Sequence, residues 1–286
     1  NGPYRNAAGA INSEALGFVL EDVEFALALF AAKEGQPGFN GVSWTALEAT
    51  AGKVAFVGVE DLTLQAEDLS VAINLVNGLG AGAVRADRVI DFTHAGTRVE
   101  VVTGTGSSRI LAMDGDLGEL IRVSGGFDIA VGGFFHVGGT LGFEKSSREV
   151  VLADGTYVMV DALTVGGNNL NAFAGLNGPY RTGADANGDG MPDTVNEDAM
   201  GFTLGGVDFA LALQTERLTA QQIADGATAR QWTSLQAEAG ETAFVGMDGL
   251  SLSVQNLELA INRAAADGTV VDYSDGATTL VVSTGP

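Results

Sequence analysis

The sequence predicts an all-β protein built as an elongated tandem-repeat array, either β-solenoid-like or a long twisted antiparallel sheet. Three observations point to this class. A long segment of the chain returns, short segments alternate apolar and polar residues with period two, and 41 glycines supply many tight turns. A string of β-sandwiches or a single large jelly-roll would also join short strands by such turns, so both stay open as alternatives.

The repeat is visible directly in the residues. Asn1-Gly-Pro-Tyr-Arg5 returns as Asn177-Gly-Pro-Tyr-Arg181. Val23-Glu-Phe-Ala-Leu-Ala-Leu29 returns as Val207-Asp-Phe-Ala-Leu-Ala-Leu213. Because a tandem array needs length and repeated contacts where an enzyme needs one site, a repeat of this kind favours architecture over catalysis.

The matches divide the chain into two parts. Residues 1–176 are predicted to be one complete repeat unit, called here the first unit, and residues 177–286 the beginning of another, called the second unit. The second match stops where Thr284-Gly285 repeats Thr103-Gly104. We therefore expect the natural protein to continue on both sides.

The charge and the residue types exclude several functions. Thirty-six acids against 14 bases give a net charge of −22, which repels nucleic acid and anionic membranes but attracts divalent cations. Cysteine is absent, which removes disulfides and cysteine-ligated metals. The apolar runs are too short for a transmembrane helix, so no insertion into a membrane is expected.

The strands are predicted in chain order from alternation. Period-two alternation runs over Phe18–Leu29 and Leu62–Ile73, and its phase shifts by one residue at Glu21-Asp22 and Glu67-Asp68. We interpret these shifts as corners between short strands of roughly seven to eleven residues.

Glycine pairs divide the middle of the first unit in the same way. Between Leu120 and Phe143, the pairs Gly125-Gly126, Gly132-Gly133 and Gly138-Gly139 separate four short strand-like segments. Helix is predicted at one place only, where Thr219 precedes one or two turns ending near Asp225, inside a loop.

One segment carries recognisable chemistry. Its oxygen-bearing side chains recur at every second position from Asp185, and Gly190 permits a sharp bend, as at the start of an EF-hand-type calcium loop. The twelfth position is Asn196 where such a loop has an acid, so we expect a following carboxylate to replace it. The predicted Ca²⁺ ligands are Asp185, Asn187, Asp189, the carbonyl of Met191, Asp193 and Glu197.

The first unit suggests what this ion would do. Between Arg5 and Asn12 it has only the short acid-free segment Asn6–Ile11, so the unit does not need the loop. A catalytic ion would be expected in every copy. We therefore predict a structural Ca²⁺ that stabilises a long insertion.

The other candidate residues are weaker. Asp114, Asp116 and Glu119 have a spacing that could hold a cation, although Asp-Gly turns are frequent in this chain. Trp44 and Trp232 occupy equivalent positions and are interpreted as buried anchors, with a sugar-binding platform as the alternative. The two histidines, His94 and His136, belong to no recognisable nucleophile-histidine-acid set, so we expect no enzyme and no catalytic residues.

The loop from Asp185 to Asp193 resembles the calcium loops of dockerins and thrombospondin type 3 repeats. The whole chain resembles the tandem repeats of giant secreted bacterial surface proteins, the acidic, cysteine-free, β-rich arrays of RTX-type adhesins. The returning Asn-Gly-Pro-Tyr-Arg and Val-(Asp/Glu)-Phe-Ala-Leu-Ala-Leu segments carry that resemblance, while the glycine-rich nonapeptide of the RTX calcium roll is absent. The resemblance implies export to the cell surface or the extracellular space and a stalk, adhesive or filament-forming role.

The functional expectation follows from these points. The chain is predicted to be a calcium-stabilised structural or spacer segment of a large extracellular protein. Its expected partners are neighbouring repeats of the same protein, including self-assembly into filaments. The alternative is a carbohydrate-binding or polysaccharide-degrading extracellular β protein.

Overall fold

The computed structural model describes residues 2–78, 88–187, 192–276 and 278–284. Its main element is an open, antiparallel sheet of nine strands, which confirms the all-β class. Within those ranges the other two sheets have two strands each, so the large sheet has no second sheet of similar size against it.

The regular elements follow one another with few insertions. They are β1 (Gly17–Ala31), β2 (Ser43–Val57), β3 (Leu62–Asn77), β4 (Glu100–Gly104), β5 (Ser107–Ile110), β6 (Leu120–Val131), β7 (Phe135–Val151), β8 (Tyr157–Leu176), β9 (Arg181–Thr182), β10 (Thr194–Val195), β11 (Met200–Glu216), α1 (Ala220–Ala224), β12 (Gln231–Val245) and β13 (Leu252–Arg263).

The large sheet is a meander. Its strand order is β1-β2-β3-β6-β7-β8-β11-β12-β13, and each strand pairs antiparallel with the next one along the chain. The pairs β4-β5 and β9-β10 form the two small sheets between these strands. With about 4.8 Å between neighbouring strands, the nine-stranded sheet is about 38 Å wide in the hydrogen-bonding direction.

The strands are longer than the alternation predicts. Phe18–Leu29 lies within β1, and the segments on both sides of Gly125-Gly126 form the single strand β6. The predicted corners are wrong because Asp22 and Asp68 adopt left-handed backbone conformations, with φ of 53° and 50°, and the ladder resumes on their far side. Such a residue reverses the alternation without ending the strand. Of the glycine pairs, Gly132-Gly133 does form a hairpin turn, between β6 and β7.

These irregular positions line up across the sheet. Pairing is interrupted or shifted at neighbouring positions in both units, in every neighbouring strand pair of the sheet except β6-β7. We call this set the bulge line. It comprises Asp22, Gly52, Asp68, Gly125, Gly139, Asn169, Gly206, Gly240 and Asn256.

The two faces of the sheet differ in composition. On one face small side chains such as Ala26 and Ala46 are fully buried beneath the segment of residues 88–118, which supplies Phe92 and Leu111 to the same cluster. On the other face large apolar side chains such as Phe25 are exposed. We call these the covered face and the open face.

The strands β1-β2-β3 of the first unit and β11-β12-β13 of the second unit pair in the same register. Gly17 lies opposite Val57 in β1-β2, and their counterparts Gly201 and Val245 lie opposite each other in β11-β12. The aromatic pairs at these ends also coincide, because Phe18 and Phe56 stack edge to face at 5.1 Å and Phe202 and Phe244 at 5.0 Å.

The predicted helix is confirmed at α1. Thr219 caps it, with its hydroxyl accepting from the Gln222 amide while the Gln222 side chain accepts from the Thr219 amide. The helix has five residues, and no helix of the described residues has the length and apolar character needed to cross a membrane.

Candidate functional sites

The acidic loop is an insertion into a small hairpin that both units contain. In the second unit Arg181 pairs with Val195 and Thr182 with Thr194, forming β9-β10. In the first unit the equivalent residues Arg5 and Ile11 form an isolated bridge. Because the same hairpin closes with or without the acids, the loop is added to a framework that already exists.

The described part of the loop brings its two ends together. The Asp193 amide donates to the Ala184 carbonyl at 3.2 Å. The Asp193 carboxylate accepts from the Ala186 amide and from the Asn187 side-chain amide, each at 2.7 Å. Three predicted ligands, Asp185, Asn187 and Asp193, therefore lie in one closed turn.

The rest of the predicted ligand set is distributed differently. Asp189 and Met191 lie outside the described residues. Glu197 is exposed in the turn beyond β10. Among the residues that the structure describes, no group of three or more His, Cys, Asp or Glu side chains is arranged to hold a metal ion.

The structure explains why the twelfth position of the loop is an asparagine. The Asn196 side-chain amide donates to the carbonyls of Asn177 and Pro179, at 2.7 and 3.1 Å, and so holds the turn that opens the second unit. Its counterpart Asn12 donates to the Pro3 carbonyl at 3.4 Å. This residue belongs to the hairpin framework, a role that comparison with a calcium loop does not indicate.

A second site lies where the two units meet, and we call it the junction. The last strand of the first unit, β8, pairs with the first long strand of the second unit, β11, from Leu176 opposite Met200 to Val160 opposite Glu216. The carboxylate of Asp208 on β11 accepts from the Asn169 backbone amide at 2.6 Å and the Asn168 side-chain amide at 2.9 Å. Asp208 thereby anchors the bulge line of β8, a role that the alternation pattern does not indicate.

The chain that follows β13 strengthens the junction by returning to the first unit. We call the described residues of 264–284 the second cover segment. Leu152 and Val271 form a β-bridge, the Asp272 amide donates to the Val151 carbonyl at 2.8 Å, and the Thr278 hydroxyl accepts from the Val151 amide at 2.9 Å. The second unit is therefore hydrogen-bonded to the first through its cover as well as through its sheet.

A buried apolar cluster fills the space under this cover. It contains residues of both units, namely Val150, Leu152, Val158, Val160, Ala162, Trp232, Ala265 and Val271, with Tyr273 packed against them. Burial raises the pKa of the Tyr273 hydroxyl, which donates to Ser234 Oγ at 2.9 Å. The cluster couples the packing of β7 and β8 to that of β12.

Glycines on β7 and β8 make room for the end of the cover. A Cβ atom at Gly142 would lie 1.9 Å from the Ser283 carbonyl oxygen, and one at Gly166 would lie 2.6 Å from the same atom. Any larger residue would displace the segment, so these glycines are required by a close approach of backbone to backbone.

The same turn occurs in residues 88–118, which cover the first unit, and in the second cover segment. Asp91 Oδ1 accepts from the amide and the hydroxyl of Thr93, and Asp272 Oδ1 accepts in the same way from Ser274. The pKa of each of these carboxyl groups is lowered, chiefly by the hydroxyl hydrogen bond.

The tryptophans are anchors of these covers. Trp232 is 2% exposed, and its indole N–H donates to the Thr269 carbonyl at 3.1 Å. Trp44 is half-buried, and its indole N–H donates to the equivalent carbonyl of Arg88 at 2.6 Å. The prediction of a buried anchor is confirmed for Trp232. Trp44 is outside the buried cluster of the first unit and lines an open surface pocket with Phe39 and Arg88.

The remaining candidates have local structural roles. Asp114 caps a short 3-10 turn by accepting from the Asp116 amide, and Glu119 lies near the amide of Val76. His136 lies in β7 with Nε2 3.0 Å from Asp128 Oδ1 of the neighbouring strand.

Comparison with models of known protein families, with curated protein sequences and with solved structures finds no match to this chain.

Proposed function

We propose that this chain is a structural, spacer segment of a large extracellular or cell-surface protein of the adhesin or filament-forming kind. It acts as a tandem array in which each unit extends one sheet, and it has no catalytic role. The observation that carries the proposal is the junction, where the sheet passes from β8 to β11 without a break and the second cover segment lies back on the first unit.

The dimensions of a unit support a spacing role. The first unit contributes six long strands to the sheet, β1, β2, β3, β6, β7 and β8. At about 4.8 Å per strand, each complete unit adds about 29 Å in the hydrogen-bonding direction. Length then grows in proportion to the number of units, which is the property a spacer requires.

Calcium is the second part of the proposal. Asp185, Asn187 and Asp193 supply oxygen donors within one closed turn, which suits a hard cation with oxygen ligands. We propose that they hold a structural Ca²⁺ together with Asp189, the Met191 carbonyl and Glu197. A bound Ca²⁺ would neutralise the crowded carboxylates and fix the insertion in one conformation.

The open face supports an assembly role. It carries exposed Phe, Leu and Ile side chains on strands of both units, including Phe25, Leu29, Leu213 and Leu259. Contiguous exposed apolar surface typically marks contact with another surface. Among the described residues no second sheet covers it.

Scattering from concatenated units tests the spacer proposal. Chains with two, three and four seamless copies of residues 1–176 should show a maximum dimension that increases linearly with copy number. A dimension that grows only as the cube root of mass would indicate globular packing and would overturn the proposal.

A glycan array on the same proteins tests the carbohydrate-binding alternative. A spacer gives no signal above that of a matched unrelated protein. Reproducible binding to one glycan class would replace the spacer reading with the lectin reading.

A further inference from the structure

In the part of the chain that the structure describes, no strand of the large sheet pairs with one edge of β1. β1 is the terminal strand of the nine-stranded sheet, and among the described residues only β2 pairs with it in that sheet. The strand has 15 residues, which is long for an exposed edge. A long edge presents a row of unpaired amides and carbonyls to another strand.

The chain itself shows how an equivalent edge is used. Each residue of β1 lies 184 positions before its counterpart in β11, and the two strands pair with β2 and β12 in the same register. The other edge of β11 takes β8. Since β1 and β11 share the position of their bulge and their register with the following strand, they present the same backbone edge to a partner.

Exposure of the side chains agrees with a missing neighbour. Phe18 is 71% exposed in β1, whereas its counterpart Phe202 is 57% exposed beside β8. Leu29 is 70% exposed, whereas Leu213 is 40% exposed. A strand like β8 next to β1 would therefore cover apolar surface as well as complete the hydrogen bonding.

The cover of the first unit is also shaped for a neighbour. In the second unit the backbone at Ser283 rests on Gly142 of β7 and Gly166 of β8. The counterpart of Ser283 in the first unit is Val102, whose side chain is exposed on β4 beside β1. This part of the first unit therefore lies against β1, at the edge of the sheet, and leaves Val102 exposed.

The first unit also has a carboxylate at the position that Asp208 occupies at the junction. Glu24 of β1 is the counterpart of Asp208, the carboxylate that holds Asn168 and Asn169 of β8 at the junction. In this chain Glu24 accepts from the Thr103 hydroxyl at 2.9 Å. An incoming strand would meet an acid at the position where the junction uses one.

We propose that the free edge of β1 is an assembly surface that receives β8 of a second copy of residues 1–176. The pairing repeats the β8-β11 register, so Gly175 of the incoming copy lies opposite Gly17 and Ala174 opposite Phe18. The inference rests on the proposed function and specifies its partner. The β8 strand of this chain is already paired with β11, so the incoming strand belongs to an additional unit.

A seamless concatemer tests the pairing. A second copy of residues 1–176 is placed before Asn1, so that Leu176 joins Asn1 in the same sequence context as the natural Leu176-Asn177 link. Hydrogen exchange of β1 peptides should slow to the level of β11 peptides. Exchange of β1 that stays as fast as in the 286-residue chain would overturn the proposal.

Disulfide trapping tests the register, because the chain has no cysteine of its own. Phe18→Cys with Ala174→Cys in the added copy should cross-link as fully as Phe202→Cys with Ala174→Cys in the original copy, a pair that the structure places opposite each other. Phe18→Cys with Ala172→Cys, shifted by two residues, should not. Equal trapping of both β1 pairs, or of neither, would refute the register.

The outcome is separable from the proposed function. A concatemer that grows linearly in length while β1 exchanges fast and does not cross-link would refute this inference and leave the spacer proposal standing. A compact concatemer with β1 protected would do the reverse.

Discussion

Removing Leu152 tests whether the two units are packed into one structure. Leu152 follows β7 in the first unit, is 1% exposed, and belongs to the cluster that contains Trp232 of the second unit. Truncation of a fully buried leucine to alanine costs about 2–5 kcal/mol, from lost burial and from the cavity that remains. For a chain of this size that lowers the melting temperature by about 4–20 °C.

The two tryptophans allow each unit to be observed separately. Trp44→Phe leaves Trp232 as the only indole, and Trp232→Phe leaves Trp44. Denaturant unfolding is followed by tryptophan fluorescence in each background. Leu152→Ala should lower the midpoint reported by Trp232 although the substitution lies in the first unit.

A matched control separates this coupling from general destabilisation. Leu111 is also fully buried, but in the cluster that residues 88–118 form with β1 and β2, away from the junction. Leu111→Ala should shift the Trp232 midpoint less than Leu152→Ala does. If Leu152→Ala moves only the midpoint reported by Trp44 and leaves that of Trp232 unchanged, the result contradicts packing of the two units across the junction.

Three further predictions concern the bulge line, the acidic loop and acid sensitivity. Gly206→Ala should lower the free energy of unfolding in urea by about 1–2 kcal/mol, because φ is +59° at this position. Gly240→Ala on the facing strand should be close to neutral, because a new Cβ there meets only ordinary contacts. Equal costs for the two variants would contradict the assignment of the left-handed position to Gly206. Excess Ca²⁺ should raise the melting temperature above that in EDTA, and Asp193→Ala should abolish the difference; identical melting of the parent chain in both conditions would exclude the structural ion. The hydrogen bonds from Arg230, at 2.8 Å, hold the pKa of Glu216 below its ordinary value. The contribution of Glu216 to the free energy of unfolding is therefore present above its unfolded pKa and is lost as the pH falls through its folded pKa. Glu216→Gln should lose less thermal stability than the parent between about pH 5 and about pH 3, and an unchanged loss would refute this role.

Local sequence predicts much of the fold because strand periodicity and turn glycines are local signals. The alternation of Phe18–Leu29 correctly identifies β1, and the Thr219 cap correctly locates α1. The strand ends are predicted less well, because a phase shift at Asp22 looks the same in sequence whether the chain turns a corner or forms a bulge. Only the pairing of both neighbours across the interruption distinguishes the two.

The contacts of the junction could not be predicted from the sequence. Gly142 and Gly166 are two glycines among 41, and the close approach of Ser283 that requires them comes from a segment over 100 residues later in the chain. Asp208 looks like an ordinary polar residue of an alternating strand. Its importance comes from Asn169, a bulge residue on the neighbouring strand.

In the acidic loop the local motif is strong, but it does not describe every residue within it. Its oxygen spacing is a strong local signal, yet Asn196 has a role in the surrounding hairpin that the motif does not include. The signal that identifies this role is the equivalent Asn12, which is present in the unit without the loop. Comparison of the two units therefore assigns Asn196 where the motif alone does not.

Electron cryomicroscopy of a concatemer of several units tests the central claim most directly. The account predicts one uninterrupted antiparallel sheet that gains six strands, or about 29 Å in the hydrogen-bonding direction, with each unit. Separate globular domains joined by linkers, with β8 and β11 unpaired, would contradict it.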